Sequence, residues 1–220
     1  MESRNGSMTG AASSAAPSRP ARDETATVML PGQERYPPYR EEVSAIVVNH
    51  AGGVFFGIKR NNMLSLPEGG VIRGEWPIEA LWRELEEETG IKSAQVSGVT
   101  TFAAPIFTDF SDFSAAPWKF SDRYRGKVRH VFLVRFTGQN SDIHTRNSPS
   151  IKIAPFSGYQ WLSSAEIMDS KAIDPGHRDL VGLFAWNIAA FQSVTHDPRR
   201  PSIYVDPLPV VRSRHHFVPE

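Results

Sequence analysis

The sequence predicts a mixed α/β domain, and three observations carry that expectation. β-rich runs and helix-start signals interleave along one stretch instead of segregating into halves. A hairpin signal opens that stretch, and an amphipathic segment bounded by Pro77 and Gly90 follows it. The length of 220 residues suits one domain with generous tails.

Taken in order, Val43–Asn49 and Gly53–Ile58 are β-rich runs joined by a Gly-containing turn, which is the hairpin. Pro77 suits the first turn of a helix and Gly90 the position after its end, giving a helix of ~20 Å. Ile78, Leu81, Trp82 and Leu85 form its expected buried stripe. Lys127–Phe136 alternates, with Val128, His130, Phe132, Val134 and Phe136 on one face of a strand. Gly158–Leu162 is a shorter strand. Ser163 with Glu166 has capping-box spacing, and Asp174–Pro175 starts a further helix expected to run to about Phe191 on Leu180, Leu183, Phe184 and Ile188.

The ends read differently. Residues 1–27 are rich in Ser, Ala, Gly and Arg with almost no large apolar residue, so they cannot offset their ordering entropy. A disordered tail is expected over 1–35, a folded domain over 36–195, and a Pro-rich extension over 196–220, where five prolines forbid a regular helix. His215 and His216 in that extension read as surface decoration. Trimming residues 1–27 should cost little.

Composition excludes several functions. Lys+Arg and Asp+Glu both total 24, so global charge favours neither bulk nucleic acid nor an anionic membrane. With no cysteine, disulfides, thiolate nucleophiles and Cys-containing zinc sites are ruled out. The apolar runs Ala45–Val48 and Leu180–Trp186 fall far short of the roughly 18 residues of a membrane-spanning helix, so no membrane association is expected. A cytoplasmic location is expected. The Ser/Ala/Arg bias of the tail offers the mitochondrial matrix as the alternative, against which Glu2, Asp23 and Glu24 count.

Chemistry concentrates on the helix before Gly90. Glu84, Glu87 and Glu88 are spaced i, i+3, i+4, which at ~100° per residue gathers three carboxylates within about a 100° arc, away from the apolar stripe. A solvated acidic face is the ordinary meaning of such a run. Here the acids crowd the last turn, where the helix dipole is already negative, and like charges at i, i+4 cost ~0.2–0.5 kcal/mol. Hard divalent cations reverse that cost, because carboxylate oxygens are the ligands Mg²⁺ and Mn²⁺ prefer. Arg83 can pair with Glu79 or Glu87, and Gly69-Gly70 lets the backbone fold close to the acidic face.

Gly69, five residues, Glu75, seven residues, then Arg83-Glu84-Leu85-x-Glu87-Glu88-x-Gly90-Ile91 resembles the Nudix box at nine restricted positions over 23 residues. The resemblance implies a Nudix-type α/β/α sandwich, a mixed sheet flanked by helices, and a pyrophosphohydrolase that uses Mg²⁺ or Mn²⁺. It implies that Glu84, Glu87 and Glu88 are metal ligands and catalytic residues, with Glu84 the leading group for activating water. Gly69 would belong to the metal loop and shape it with Gly70, Glu75 and Arg83 would brace it, and Gly90 would close the box.

Flanking residues are similar to the RNA 5′-pyrophosphohydrolase and diadenosine polyphosphate hydrolase branch: Tyr39-Arg40, Lys59-Arg60, Tyr124-Arg125-Gly126-Lys127, Phe156-Ser157-Gly158 with Trp161, and His177-Arg178. Lys119, Arg123, Arg125, Lys127, Arg129 and Arg135 face only Asp122, interleaved with Trp118, Phe120 and Tyr124, as phosphates and bases require. Arg40, Lys59, Arg125, Lys127 and His177 are the expected contacts to a nucleotide or RNA 5′-end. Two features depart from that branch. Pro155 stands where it has a further glutamate, so either another acid such as Asp142 substitutes or fewer metals bind and turnover is low. Ala103–Ser121 has no counterpart; it is expected to be a lid or, like the C-terminal extension, a protein-docking segment. Other specificities (ADP-ribose, NADH, nucleoside triphosphates) and a binding subunit with weak catalysis are the alternatives.

Overall fold

In the computed structural model of the chain, the structure describes residues 25–32, 36–101, 104–110, 123–145 and 154–193, the last four of these by backbone only. The expected docking loop lies largely outside the described residues, as does the Pro-rich extension. Among the described residues no helix is long and apolar enough to cross a membrane.

The strands are β1 (Thr27–Val28), β2 (Tyr39–Val48), β3 (Val54–Ile58), β4 (Leu64–Ser65), β5 (Glu68–Gly70), β6 (Val96–Thr101), β7 (Ile106–Asp109), β8 (Gly126–Phe136) and β9 (Gly158–Leu162). Helices α1 (Pro77–Thr89), α2 (Ser164–Asp169), α3 (Pro175–Leu183) and α4 (Ala185–Ser193) intervene. The spine is the parallel pair β2 and β8, in register from Tyr39 opposite Gly126 to Val48 opposite Arg135. The other pairings are antiparallel: β3, β5 and β1 line the free flank of β2, β6 and β7 pair with β8, and β9 pairs with β3.

Both sheet faces are covered, which makes three layers. Val43, Ala45, Val47, Phe132, Val134 and Phe136 point to α1, where Ala80, Leu81 and Leu85 meet them. Ile46, Val48, Val54, Phe56, Val131 and Leu133 point the other way, to Ile167 of α2, Leu180 of α3 and Ile188 of α4. Each fully buried leucine contributes about 1.5–3 kcal/mol, so both helical layers are held chiefly by these contacts.

Three expectations change. Thr27 and Val28 pair with Arg40 and Tyr39, Ala26 N–H donates to Val71 O at 2.8 Å, and Glu41 N–H to Ala26 O at 3.0 Å. The domain therefore reaches into the expected tail, because the flank of β2 offers backbone groups that need partners. Second, Ile78 is 39% exposed and Trp82 is only half-buried, while Ala80 is buried. The inward row is Ala80, Glu84 and Glu88, spaced by four, so two of the acids lie beside the apolar stripe instead of away from it. Third, the helix expected from Pro175 to about Phe191 breaks at Phe184 (φ −104°, ψ 12°). Phe184, at the break, and Ile188 of α4 both lie in the core.

Candidate active site

The site is built around β5, a three-residue strand joining two functional faces. Opposite Glu42, Val43 and Ser44 of β2 stand Gly70, Gly69 and Glu68. Side chains alternate along a strand, so Gly69 faces α1 while Glu68 and Gly70 face the opposite side.

On the α1 side, Pro77 opens the helix, Glu79 accepts the Trp76 N–H at 2.8 Å, and Gly90 ends it in the left-handed region (φ 75°) with its N–H on Glu86 O. A side chain at Gly90 would be strained, so glycine fixes the stop. Glu84, Glu87 and Glu88 are 5%, 8% and 8% exposed. Gly69 makes that burial possible: a Cβ there would run into the Glu84 carboxyl group. The Glu88 carboxylate accepts the Glu68 N–H at 3.0 Å. Burial, and then repulsion from Glu84, push the Glu88 carboxyl well above its ordinary range, with the Glu68 N–H opposing them.

Arg83 ties the loop to the helix. Its guanidinium donates to both oxygens of Glu75 at 2.9 Å, to Gly70 O at 2.8 Å and to Glu84 Oε1 at 2.6 Å. Glu87 lies 4.0 Å away, and Glu79 is occupied at the helix start. Burial lowers the Arg83 pKa, but Glu75 and Glu84 outweigh it and raise it above its ordinary value. The planar fork satisfies three acceptors at once, which an ammonium group could not do in one geometry.

On the opposite side lies a basic cluster. Arg40 pairs with Glu42; Lys127 Nζ is 3.0 Å and Arg129 3.8 Å from the same carboxylate. Arg129 also reaches Glu68 at 3.2 Å, and Lys59 lies 3.8 Å from it. Burial would raise the Glu68 carboxyl, but His177, Arg129 and Lys127 override it and hold it well below the ordinary range. Burial lowers the Lys127 ammonium to about 8, with Arg129 and Arg40 adding to the effect and Glu68 opposing it.

The structure thus brings Arg40, Lys59 and Lys127 together next to the box. Arg125 stands at the strand end: it bonds Asp109 at 3.2 Å and lies over the rings of Tyr39 (4.8 Å) and Tyr36 (5.2 Å). His177 differs from expectation. It is 3% exposed, with Nε2 at 3.0 Å from Glu68 and Nδ1 at 3.3 Å from Ser65 Oγ, so it faces inward beneath Glu68. Asp142, expected to stand in for the glutamate missing at Pro155, accepts the Gln139 N–H at 2.7 Å in its own turn. Glu42 and Glu68 are not singled out by the sequence, and Arg129 is named there only within the basic run. The sequence signal for Glu42 is a charge directly preceding the apolar run from Val43.

A model of the NUDIX domain matches residues 38–184. The chain belongs to the Nudix family. Among curated relatives, an RNA pyrophosphohydrolase of Roseobacter denitrificans is 36% identical over 157 residues, covering 69% of this chain and 92% of that protein. An RNA pyrophosphohydrolase of Sphingopyxis alaskensis is 34% identical over 148 residues, covering 65% and 88%. Among solved structures, the E. coli dihydroneopterin triphosphate pyrophosphohydrolase shares the fold with a TM-score of 0.50 at 17% identity, covering 68% of this chain and 98% of that one. The protein is a Nudix pyrophosphohydrolase, and the expected α/β Nudix fold is borne out.

Nudix enzymes use divalent metals, and the residues here suit one: three buried carboxylates lie close along α1, and burial, then repulsion from Glu84, push Glu88 up, a shift that a cation would oppose. As they stand, no three carboxylates or imidazoles among the described residues converge tightly enough to coordinate an ion. Glu84 is bonded to Arg83 at 2.6 Å and Glu88 to the Glu68 N–H at 3.0 Å.

Proposed function

We propose that this Nudix pyrophosphohydrolase acts on RNA 5′-triphosphate ends, as a Mg²⁺- or Mn²⁺-dependent cytoplasmic enzyme. The observation that carries the reading is the pairing of two faces across β5: buried Glu84, Glu87 and Glu88 on one side, and Arg40, Lys59, Lys127 and Arg129 on the other. The relatives named RNA pyrophosphohydrolases support it.

A bound divalent ion supplies charge neutralisation of the pyrophosphate and makes water a competent nucleophile near neutral pH. The protein's part is to hold and orient. Glu84, Glu87 and Glu88 would provide the ligands, and Glu84, held by Arg83, would take the water proton. Arg40, Lys127 and Lys59 exchange their carboxylate partners for phosphate oxygens, which keeps the chain in line with the attacking water. Arg125 with Tyr36 offers a flat cationic and aromatic surface to the 5′-nucleoside at the strand end.

Dinucleoside polyphosphates are the second reading, since the same cations would serve their phosphate chain. A panel of triphosphorylated RNA, diadenosine tetraphosphate, ADP-ribose and nucleoside triphosphates, assayed with Mg²⁺ or Mn²⁺, separates them. RNA should turn over fastest, and Glu84→Gln should be inactive on every substrate. Faster turnover of ADP-ribose would sink the branch assignment, and equal inactivity of wild type and Glu84→Gln would favour a binding subunit.

A further inference from the structure

We propose that His177 is a positioning residue of the hydrolytic site: from α3 it holds Glu68 beside the box, so that the backbone N–H of Glu68 stays aimed at the Glu88 carboxylate. The inference rests on the proposed metal-ligand role of Glu88.

The chain of contacts is short. The imidazole Nε2 lies 3.0 Å from Glu68 Oε2, and a carboxylate only accepts, so His177 is the donor. The Glu68 N–H then reaches Glu88 Oε2 at 3.0 Å. The imidazole itself is fixed from below. Ser65 Oγ sits 3.3 Å from Nδ1 and donates to Leu66 O at 3.1 Å, which keeps the hydroxyl beside the imidazole.

The start of α3 cannot drift either. Leu64 N–H donates to Ala172 O at 2.7 Å and Asp174 N–H to Leu64 O at 3.1 Å, which sews the helix start to β4 one residue before Ser65. Asp174 caps the Gly176 N–H at 3.0 Å, and Pro175 presets the first turn. His177 therefore belongs to a frame that grips both ends of the segment from Ser65 to Glu68. Groups that orient a metal ligand without touching the metal matter nearly as much as the ligand itself.

The variants His177→Gln and His177→Asn separate the two ring nitrogens, because a Gln amide reaches the Nε2 position and an Asn amide only the Nδ1 position. His177→Ala should lower kcat on triphosphorylated RNA and weaken Mn²⁺ binding, read from the paramagnetic resonance of unbound Mn²⁺, each by roughly 10- to 100-fold. KM should stay within about twofold, since Arg40 and Lys127 are untouched. His177→Gln should recover most of both losses and His177→Asn little.

The proposal is overturned if His177→Ala keeps kcat and Mn²⁺ affinity, or if wild type takes up no Mn²⁺. It is overturned equally if the loss falls on KM alone, which would make His177 a substrate contact. Parallel losses in all three variants that track Tm would mean a packing role only. Should wild type leave triphosphorylated RNA intact, the RNA reading fails, while the Mn²⁺ titration still decides the role of His177.

Discussion

Replacing Gly69 by alanine tests how the box accommodates its carboxylate. Gly69 has no positive φ, so alanine is allowed there by the backbone, and the cost is purely steric. All three atoms nearest an added Cβ belong to the Glu84 carboxyl group, which is anchored by Arg83 at 2.6 Å and cannot swing freely away. Overpacking of this kind costs about 1–3 kcal/mol. Alanine returns ~0.4–1 kcal/mol by stiffening the unfolded chain, so the net loss should be about 1–2 kcal/mol. For a domain of this size the corresponding fall in Tm is roughly 2–8 °C. Urea unfolding of Gly69→Ala, Glu84→Ala and the double variant closes a cycle. With the Glu84 carboxyl gone the collision disappears, so Gly69→Ala should be neutral or slightly stabilising in that background, a coupling of about 1–3 kcal/mol. Additivity within about 0.5 kcal/mol would refute the reasoning.

Lys127, at about 8, should lose its proton across the alkaline range, so kcat/KM is expected to fall as pH rises through that value. Lys127→Arg stays charged and should flatten that limb; an unchanged profile would remove Lys127 from phosphate binding. By linkage the unfolded chain keeps this proton up to 10.5, so the group makes folding more favourable as pH rises from about 8 to 10.5. Gly90→Ala places a side chain in the left-handed region and 3.1 Å from His144 N, and should cost about 1–3 kcal/mol by chemical unfolding. Glu84→Gln should cut kcat by ~10²–10⁴-fold, and removing divalent metal with a chelator should abolish turnover until Mg²⁺ or Mn²⁺ is restored.

The helix of the box was legible to the residue, because Pro77 and Gly90 act locally and leave little to tertiary context. Its buried side was read less well. Ile78 and Trp82 look apolar in sequence, but α1 lies over the paired strands β2 and β5, where Ala80 is buried and the bare Gly69 backbone admits the Glu84 carboxyl. The hairpin, β8 and the two helix starts at Ser163 and Asp174 were equally local in origin. What escaped was created by long-range pairing. Arg40 meets Lys127, and Glu42 meets Arg129, only because β2 and β8 run parallel across most of the domain. Glu68 gains its place from a three-residue strand too short to announce itself, and the burial of His177, expected as a substrate contact, depends on the docking of α3 onto β4. The break at Phe184 carries no proline to announce it.

The short strand β1 bears on where the domain can be cut. A chain beginning at residue 36 would retain Glu84, Lys127 and the rest of the active site, yet the backbone groups of Tyr39, Glu41 and Val71 now covered by 26–28 would face water as a naked strand flank. Such flanks recruit strands from other molecules. Shortened versions should therefore form aggregates or exchanged dimers at concentrations where the full chain stays dispersed, and they should do so with the chemistry of the site intact.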